Sequence, residues 1–254
     1  MIWDIQRASL WKRASAALFD IILVVVIAIG IGWLISAITN YDQKVDTFDS
    51  CISEYSERYD TDLRMTQDDY SKLSEEDQQK YNAASAAIIQ DEVYLKTKAL
   101  LLNLTLLMIS LSLFVSIAIW KFIIPLFLKN GQTIGKKCFN ICIVKNNSVR
   151  INKMQLFTRS ILGEYVIETM VPILTILMMV FGLIGKIGLI LLGIFAIVQL
   201  VLLFATGNKT PIHDILAYTV VVDKPSQMIY DSEEELMKYK KDYALKQSQN
   251  QHNY

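Results

Sequence analysis

The chain has 254 residues, 53% of them hydrophobic, with 25 basic and 25 acidic side chains and a formal net charge of zero. Those averages would suit an ordinary soluble protein, but the apolar residues fall in long runs and the charges fall between them. Three cysteines with no paired spacing and only two histidines (His213 and His252) argue against a disulfide framework and a histidine-based metal site. No cofactor is expected.

Residues 1–39 begin with Trp3 and Trp11 beside Arg7, Lys12 and Arg13, a composition suited to lipid headgroups. An uncharged run from Ile21 to Ile38 follows as the first span. A cleaved signal peptide is disfavoured, because Asp20 interrupts the start and no small-residue cleavage site follows Ser36-Ala37. Residues 40–98 form an acidic insert, with fourteen acidic and seven basic residues for a net of minus seven. Ser74-Glu75-Glu76-Asp77 reads as a capping box, and Gln78 to Lys98 predicts a helix running directly into the next span. Thr66-Gln67-Asp68-Asp69 predicts a shorter helix; a solvated loop is the alternative that the acidic excess allows.

Residues 99–128 carry the second span, Ala99 to Trp120, then Lys121 placed to snorkel and a short stretch containing Pro125. Residues 129–160 hold seven basic side chains and no acidic one. Within them Phe139–Val144, a turn at Lys145-Asn146-Asn147-Ser148, and Val149–Ile151 predict a β-hairpin. Residues 161–206 carry spans three (Ile161–Ile184) and four (Ile187–Thr206), joined by a tight turn at Gly182–Lys186. In residues 207–223, Thr210-Pro211 predicts a helix start with proline at the first position, and Thr219–Val222 predicts a strand that joins the hairpin. Residues 224–254 form a charged tail, read as solvated helix or disorder.

Each apolar run supplies the roughly 20 residues needed to cross a hydrocarbon core. Basic residues flanking spans stay on the cytoplasmic side, which places the basic loop and both termini inside and the acidic insert outside. The expected fold class is an all-α membrane protein with four transmembrane helices, an extracytoplasmic helical insert and a small cytoplasmic β-hairpin element.

Three carboxylates stand in or near the spans: Asp20, Glu164 and Glu168. A carboxylate at a helix centre costs about 2.5–3.5 kcal/mol on insertion scales, so each needs a partner. Glu164 and Glu168, four apart, share a helical face, which Thr175 continues, and Gln199 adds a polar group in span four. Asp20 is expected to pair across helices, with Arg13, Arg159 or His213 as candidates. All of these groups fall in the cytoplasmic half, which fits either a pocket open to the cytoplasm or a structural polar knot.

The same positions carry a resemblance. Arg13, Ala16 and Asp20, then Gly131-Gln132-Thr133-Ile134-Gly135-Lys136-Lys137, then Thr210-Pro211-Ile212-His213-Asp214-Ile215-Leu216-Ala217-Tyr218 resemble, in order, the three motifs of the RDD family of bacterial membrane proteins. The resemblance spans residues 7–38 and 99–223 and leaves out the insert and the tail. It implies a multi-pass protein of a bacterial cell membrane, with Arg13, Asp20 and Asp214 as family-motif positions, and Gly131, Gly135, Lys136, Pro211 and His213 in support. It also implies transport, since cation–proton exchange has been suggested for some members; Glu164 and Glu168 would join the site. The alternative is a non-catalytic partner protein that binds an envelope protein through residues 42–90. Gly131–Lys136 lacks the glycine count and hydroxyl of a phosphate-binding loop, so nucleotide binding is not expected, and no nucleic-acid partner is expected. No nucleophile or paired-aspartate constellation supports an enzyme. The expected partners are the lipid bilayer and a second copy of the chain.

Overall fold

The computed structural model describes residues 5–128, 131–180, 182–205 and 210–252. Trp3, Lys129 and the start of the closing segment at 207–209 lie outside them. Two compact units divide the chain, Met1–Ala28 with Leu113–Tyr254, and Ile29–Ser112.

Four helices are long and apolar enough to cross a membrane. They are α1 (Leu10–Thr39), α5 (Glu92–Phe127), α7 (Lys153–Val180) and α8 (Ile187–Ala205). Three of them begin earlier than their apolar runs, because a helix continues past the hydrocarbon wherever its backbone bonds are satisfied. At about 1.5 Å per residue, α1 and α5 exceed the ~30 Å core and carry their charged first turns beyond it. In α1 the buried residues are Ala16, Asp20, Val24 and Ala28, a four-residue repeat that marks a single face.

Two spans are wound more loosely for part of their length. In α5 the segment Ala118–Ile123 is π-helical, and in α7 the same holds for Thr158–Met170. Such stretches pair each N–H with the carbonyl five residues back rather than four. Pro125, just after the first, has no N–H to give, and the Lys121 carbonyl four residues earlier instead accepts the buried Ser160 hydroxyl at 2.7 Å.

In the larger unit the loop and closing segment form a small packed layer. Strands β1 (Ile141–Lys145) and β2 (Thr219–Asp223) pair antiparallel, from Ile141↔Asp223 to Lys145↔Thr219. Alternation sends Ile141, Ile143 and Val221 toward Ala8 and Ala16, while Cys142, Val144, Val220 and Val222 form the opposite core. Burial on both faces explains why the strands read as continuous apolar runs. Residues 6–8 extend the sheet through Ala8 N–H to Val221 O at 3.1 Å and Asp223 N–H to Gln6 O at 2.9 Å. The expected hairpin is therefore corrected. Val149 and Arg150 meet β1 only through the Lys145–Val149 bond and a single bridge, and the main partner of β1 is β2. The tail is helical over α10 (Glu233–His252), with Tyr230 and Leu236 buried against Val149.

The short helices α6 (Ile134–Cys138) and α9 (Ile212–Leu216) carry the second and third motifs. Pro211 is the N-cap of α9, so the helix begins one position later than expected, with no capping bond from the N-cap side chain.

The smaller unit contains α2 (Tyr41–Arg58), α3 (Gln67–Tyr70) and α4 (Glu75–Ile88). Thr66 and Ser74 cap α3 and α4, each accepting from the backbone N–H three residues on. The helix expected to run into the second span is interrupted after Ile88. Asp91 stops it, taking the Tyr94 N–H at 2.8 Å as a new cap and the Tyr55 hydroxyl at 3.0 Å. Phe48 stacks on Tyr94 at 5.2 Å, and Ala84 and Ile88 are buried.

Candidate functional site

The three motifs converge in the larger unit, and Asp20 is the first point of contact. Its Oδ1 accepts the Trp120 indole N–H at 2.9 Å and the Gly135 backbone N–H at 3.0 Å, and its Oδ2 accepts the Thr133 hydroxyl at 2.5 Å. Thr133 also caps α6 by accepting the Lys136 N–H. A side chain at Gly135 would stand 2.5 Å from the Ala16 carbonyl and 2.8 Å from Asp20 Oδ1, so only glycine lets α6 seat on α1. Gly131 has a positive φ of 59° and a Cβ there would strike Ile151. The expectation that Asp20 pairs with Arg13, Arg159 or His213 is thus corrected. Three neutral donors hold it, and the nearest ammonium, on Lys136, stands 4.0 Å away.

Arg159 is the second centre. Its Nε donates to Asp214 Oδ1 at 2.7 Å, one Nη to Glu164 Oε1 at 3.0 Å, and the other to His213 Nε2 at 2.8 Å. Because the guanidinium can only donate, His213 accepts at Nε2. Its proton is then on Nδ1, 2.7 Å from Glu168 Oε2, while its backbone N–H bonds Glu168 Oε1 at 3.0 Å. Gln199 adds a side-chain bond to Glu168. Lys121 stands 2.8 Å from Glu164 Oε2, and Arg13 stands 4.0 Å from Asp214 Oδ2. Gly163 permits the close approach, since a Cβ there would lie 2.5 Å from that of His213.

Four cations (Arg13, Lys121, Lys136, Arg159) therefore face four carboxylates (Asp20, Glu164, Glu168, Asp214). Burial pulls the Lys136 ammonium down to about 8, and the Arg159 charge adds to the effect. Burial alone would raise the Asp214 carboxyl, but the Arg159 guanidinium and the hydrogen bonds from Arg159 and Thr219 hold it below the ordinary range. Asp214 is fully buried. Its Oδ1 is doubly engaged, while its Oδ2 has no hydrogen-bond partner among the described residues.

Beside this network lies a half-enclosed cavity of about 520 Å³, within the range of small-molecule sites. Arg13, Asp20, Lys121, Lys136, Arg159, Glu164, His213 and Asp214 form its charged side. Leu10, Trp11, Ala14, Ala17, Leu203 and Phe204 form an apolar side. Pro211 also lines it. Among the described residues no three His, Cys, Asp or Glu side chains converge as a metal site requires.

Of the residues singled out from sequence, Arg13, Asp20, Lys136, Glu164, His213 and Asp214 line one cavity, and Glu168 stands behind His213. Sequence reasoning passed over Arg159 as a centre, and Trp120, Lys121 and Thr133 as site residues. Arg159 and Glu164 are five apart, which separates them on an α-helix. The π-helical winding of Thr158–Met170 brings that spacing into register, and Thr169 likewise bonds the Glu164 carbonyl at 2.7 Å.

A family model described as the RDD family matches residues 7–218, most of the chain. No curated protein and no solved structure matches the chain.

Proposed function

The chain belongs to the RDD family, and from that premise we propose that it moves a small solute or ion across the membrane, coupled to protons, through the cavity at its charged end. The observation that carries this reading is the cavity itself, with a fully buried carboxylate oxygen, Asp214 Oδ2, that accepts no hydrogen bond among the described residues. A polar knot serving only to lock helices would close on itself, since a buried unpaired acceptor costs about 1–3 kcal/mol. His213 supports the coupling to protons. A second proton on Nε2 would displace the Arg159 bond and point toward Glu164 Oε1 and Asp214 Oδ2, both 3.6 Å away.

In this reading the basic loop and both termini are cytoplasmic, following the positive flanks. The membrane is a bacterial cell membrane, no catalysis takes place, and the working unit is a dimer because four spans are few for a carrier. The test is cation-driven proton movement in proteoliposomes, comparing the natural chain with Ala17→Phe, which narrows the cavity and removes no charge. Loss of flux at unchanged thermal stability is expected. Undiminished flux from that variant overturns the reading.

A second reading rests on the acidic segment Ile29–Ser112, which is compact by itself and which the cavity does not use. As a partner-binding module it would seat an envelope protein through residues 42–90. Deleting those residues would then remove a copurifying partner while leaving membrane insertion and flux intact.

A further inference from the structure

Lys136 lines the cavity and is only 8% exposed. Its ammonium makes no hydrogen bond among the described residues, and the nearest carboxylate, on Asp20, stands 4.0 Å away, beyond hydrogen-bond reach. Asp20 already accepts from Trp120, Gly135 and Thr133. The helix α6 seats on α1 as closely as Gly135 allows, so it cannot carry the ammonium nearer. An ammonium brings three N–H donors, and leaving them unmade away from water is costly. The charges that act on Lys136 are Arg159 and Lys121 on the positive side, Glu164 and Asp20 on the negative. Those four cancel, which leaves the ammonium as a surplus of one positive charge. A second proton on His213 would only add to it. Glu168 lies behind His213 with both oxygens on that residue, and it does not line the cavity.

The same cavity has an apolar side, built by Ala14 and Ala17 of α1 and Leu203 and Phe204 of α8. We propose that it binds an organic monocarboxylate, the carboxylate accepting from the Lys136 ammonium and the hydrocarbon chain lying on Ala14, Ala17, Leu203 and Phe204. One unpartnered ammonium matches one negative charge. A phosphate monoester brings nearly two. Its second charge would face Asp20 and Glu164 with no cation to meet it, because Arg13, Lys121 and Arg159 are already engaged. A cationic guest is opposed by the surplus. A neutral amide accepts from Lys136 but forgoes the charge-assisted bond, which is roughly twice as strong. The chain has two sources. One confined to the cavity belongs to a soluble acid, whereas one that runs on past Trp11 and Phe204, both exposed and both on spans, belongs to a membrane fatty acid.

This names the guest of the cavity and rests on the reading of that cavity as a binding site, but it is measured without flux. The full chain in phosphatidylcholine nanodiscs is titrated calorimetrically with hexanoate, hexanamide, hexylamine and hexyl phosphate, with empty discs as the blank. Hexanoate is expected to bind about tenfold or more tightly than hexanamide, and hexylamine to give no binding heat. Butanoate is expected to be weaker than hexanoate by about fifteenfold, two methylenes at about fourfold each. Lys136→Gln is expected to bring hexanoate down to the level of hexanamide. Leu203→Ala is expected to weaken both and keep their ratio. The comparison of guests on the natural chain needs no variant, so it decides even where Lys136→Gln fails to fold. Absent binding of hexanoate, equal binding of hexanoate and hexanamide, or tighter binding of hexyl phosphate overturns the proposal. Lengthening the acid to dodecanoate separates the two sources of the carboxylate. Affinity that stops rising beyond hexanoate supports a soluble acid, and a rise that continues after subtraction of the empty discs supports a fatty acid. Carboxylate binding without proton flux would sink the transport reading alone, and flux without carboxylate binding would sink only this one.

Discussion

Arg159 and Asp214, 55 residues apart in sequence, meet through Nε and Oδ1 at 2.7 Å with side chains only 4% and 0% exposed. That bond ties the third span to the closing motif, and the same guanidinium also reaches Glu164 and His213. Removing one partner of a buried pair costs about 3–5 kcal/mol, because the other is left charged and unpaired. Arg159→Met, which strands three acceptors, is expected to destabilise the protein by at least that much, and Asp214→Asn by less, since the amide keeps an oxygen for the guanidinium. Unfolding of both variants and of the double variant checks this, with the double costing less than the sum.

The pH profile of stability is expected to slope at both ends. Asp214 is held below the ordinary carboxylate value in the folded protein. Across the window beneath that ordinary value, about 3.9, the unfolded chain binds more protons. The contribution is complete above the window and lost as pH falls through it. Lys136 titrates at about 8 when folded against 10.5 when free. Between these values the unfolded chain again holds more protons, so stability rises with pH over that interval. Melting temperatures recorded across pH should show both slopes, with Asp214→Asn flattening the acid limb and Lys136→Met the alkaline one.

Gly135→Ala forces a methyl against the Ala16 carbonyl and the Asp20 carboxylate, both held by backbone or by several bonds. A loss of several kcal/mol is expected, beyond the roughly 1–3 kcal/mol of ordinary overpacking. Gly193→Ala in α8 is the control, as nothing lies within 4 Å of its added carbon, and thermal melts of the two variants should separate clearly.

Ser160 and Pro125 are expected to be energetically coupled. Ser160→Ala leaves the Lys121 carbonyl without its hydroxyl donor, at a cost of about 1–3 kcal/mol. Pro125→Ala restores an N–H one turn away and should reduce that cost when the two changes are combined. A double-variant cycle with no coupling would contradict this account of the broken span.

Four spans, a helical insert and two of the three helix caps were legible because each follows from local chemistry: apolar run length, the Thr66 and Ser74 caps, and paired glycines around Thr133. The site was legible only as a list of residues. Glu164 and Glu168 were rightly noticed as carboxylates needing partners, but the pairing was hidden by winding. A 3.6-residue period puts Arg159 and Glu164 on different faces, and nothing in Thr158–Met170 announces the looser turn. The partners of Asp20 were missed for a different reason. An indole, a hydroxyl and a backbone N–H carry no charge, so a search for balancing cations passes over them. Asp91, which breaks the expected continuous helix, shows the same limit at the level of secondary structure. A carboxylate inside a run of good helix formers can cap a new helix as readily as ride on an old one.

Cysteine chemistry tests the arrangement of the loop and the orientation together. Cys138 is exposed, whereas Cys142 in β1 is buried in the core beneath one face of the sheet, with its thiol pushed up to about 11 by burial. In folded protein a maleimide is expected to modify Cys138 quickly and Cys142 only after unfolding. With the basic loop inside, an impermeant reagent on intact cells should reach Cys51 and leave Cys138 unlabelled. The reverse pattern would invert the proposed orientation.

The most direct test of the transport reading is proton movement driven by a cation gradient in proteoliposomes holding the purified full chain. Flux that Ala17→Phe abolishes, with its melting temperature unchanged, is the predicted result. A natural chain that melts cooperatively in the same vesicles yet moves no protons would contradict it.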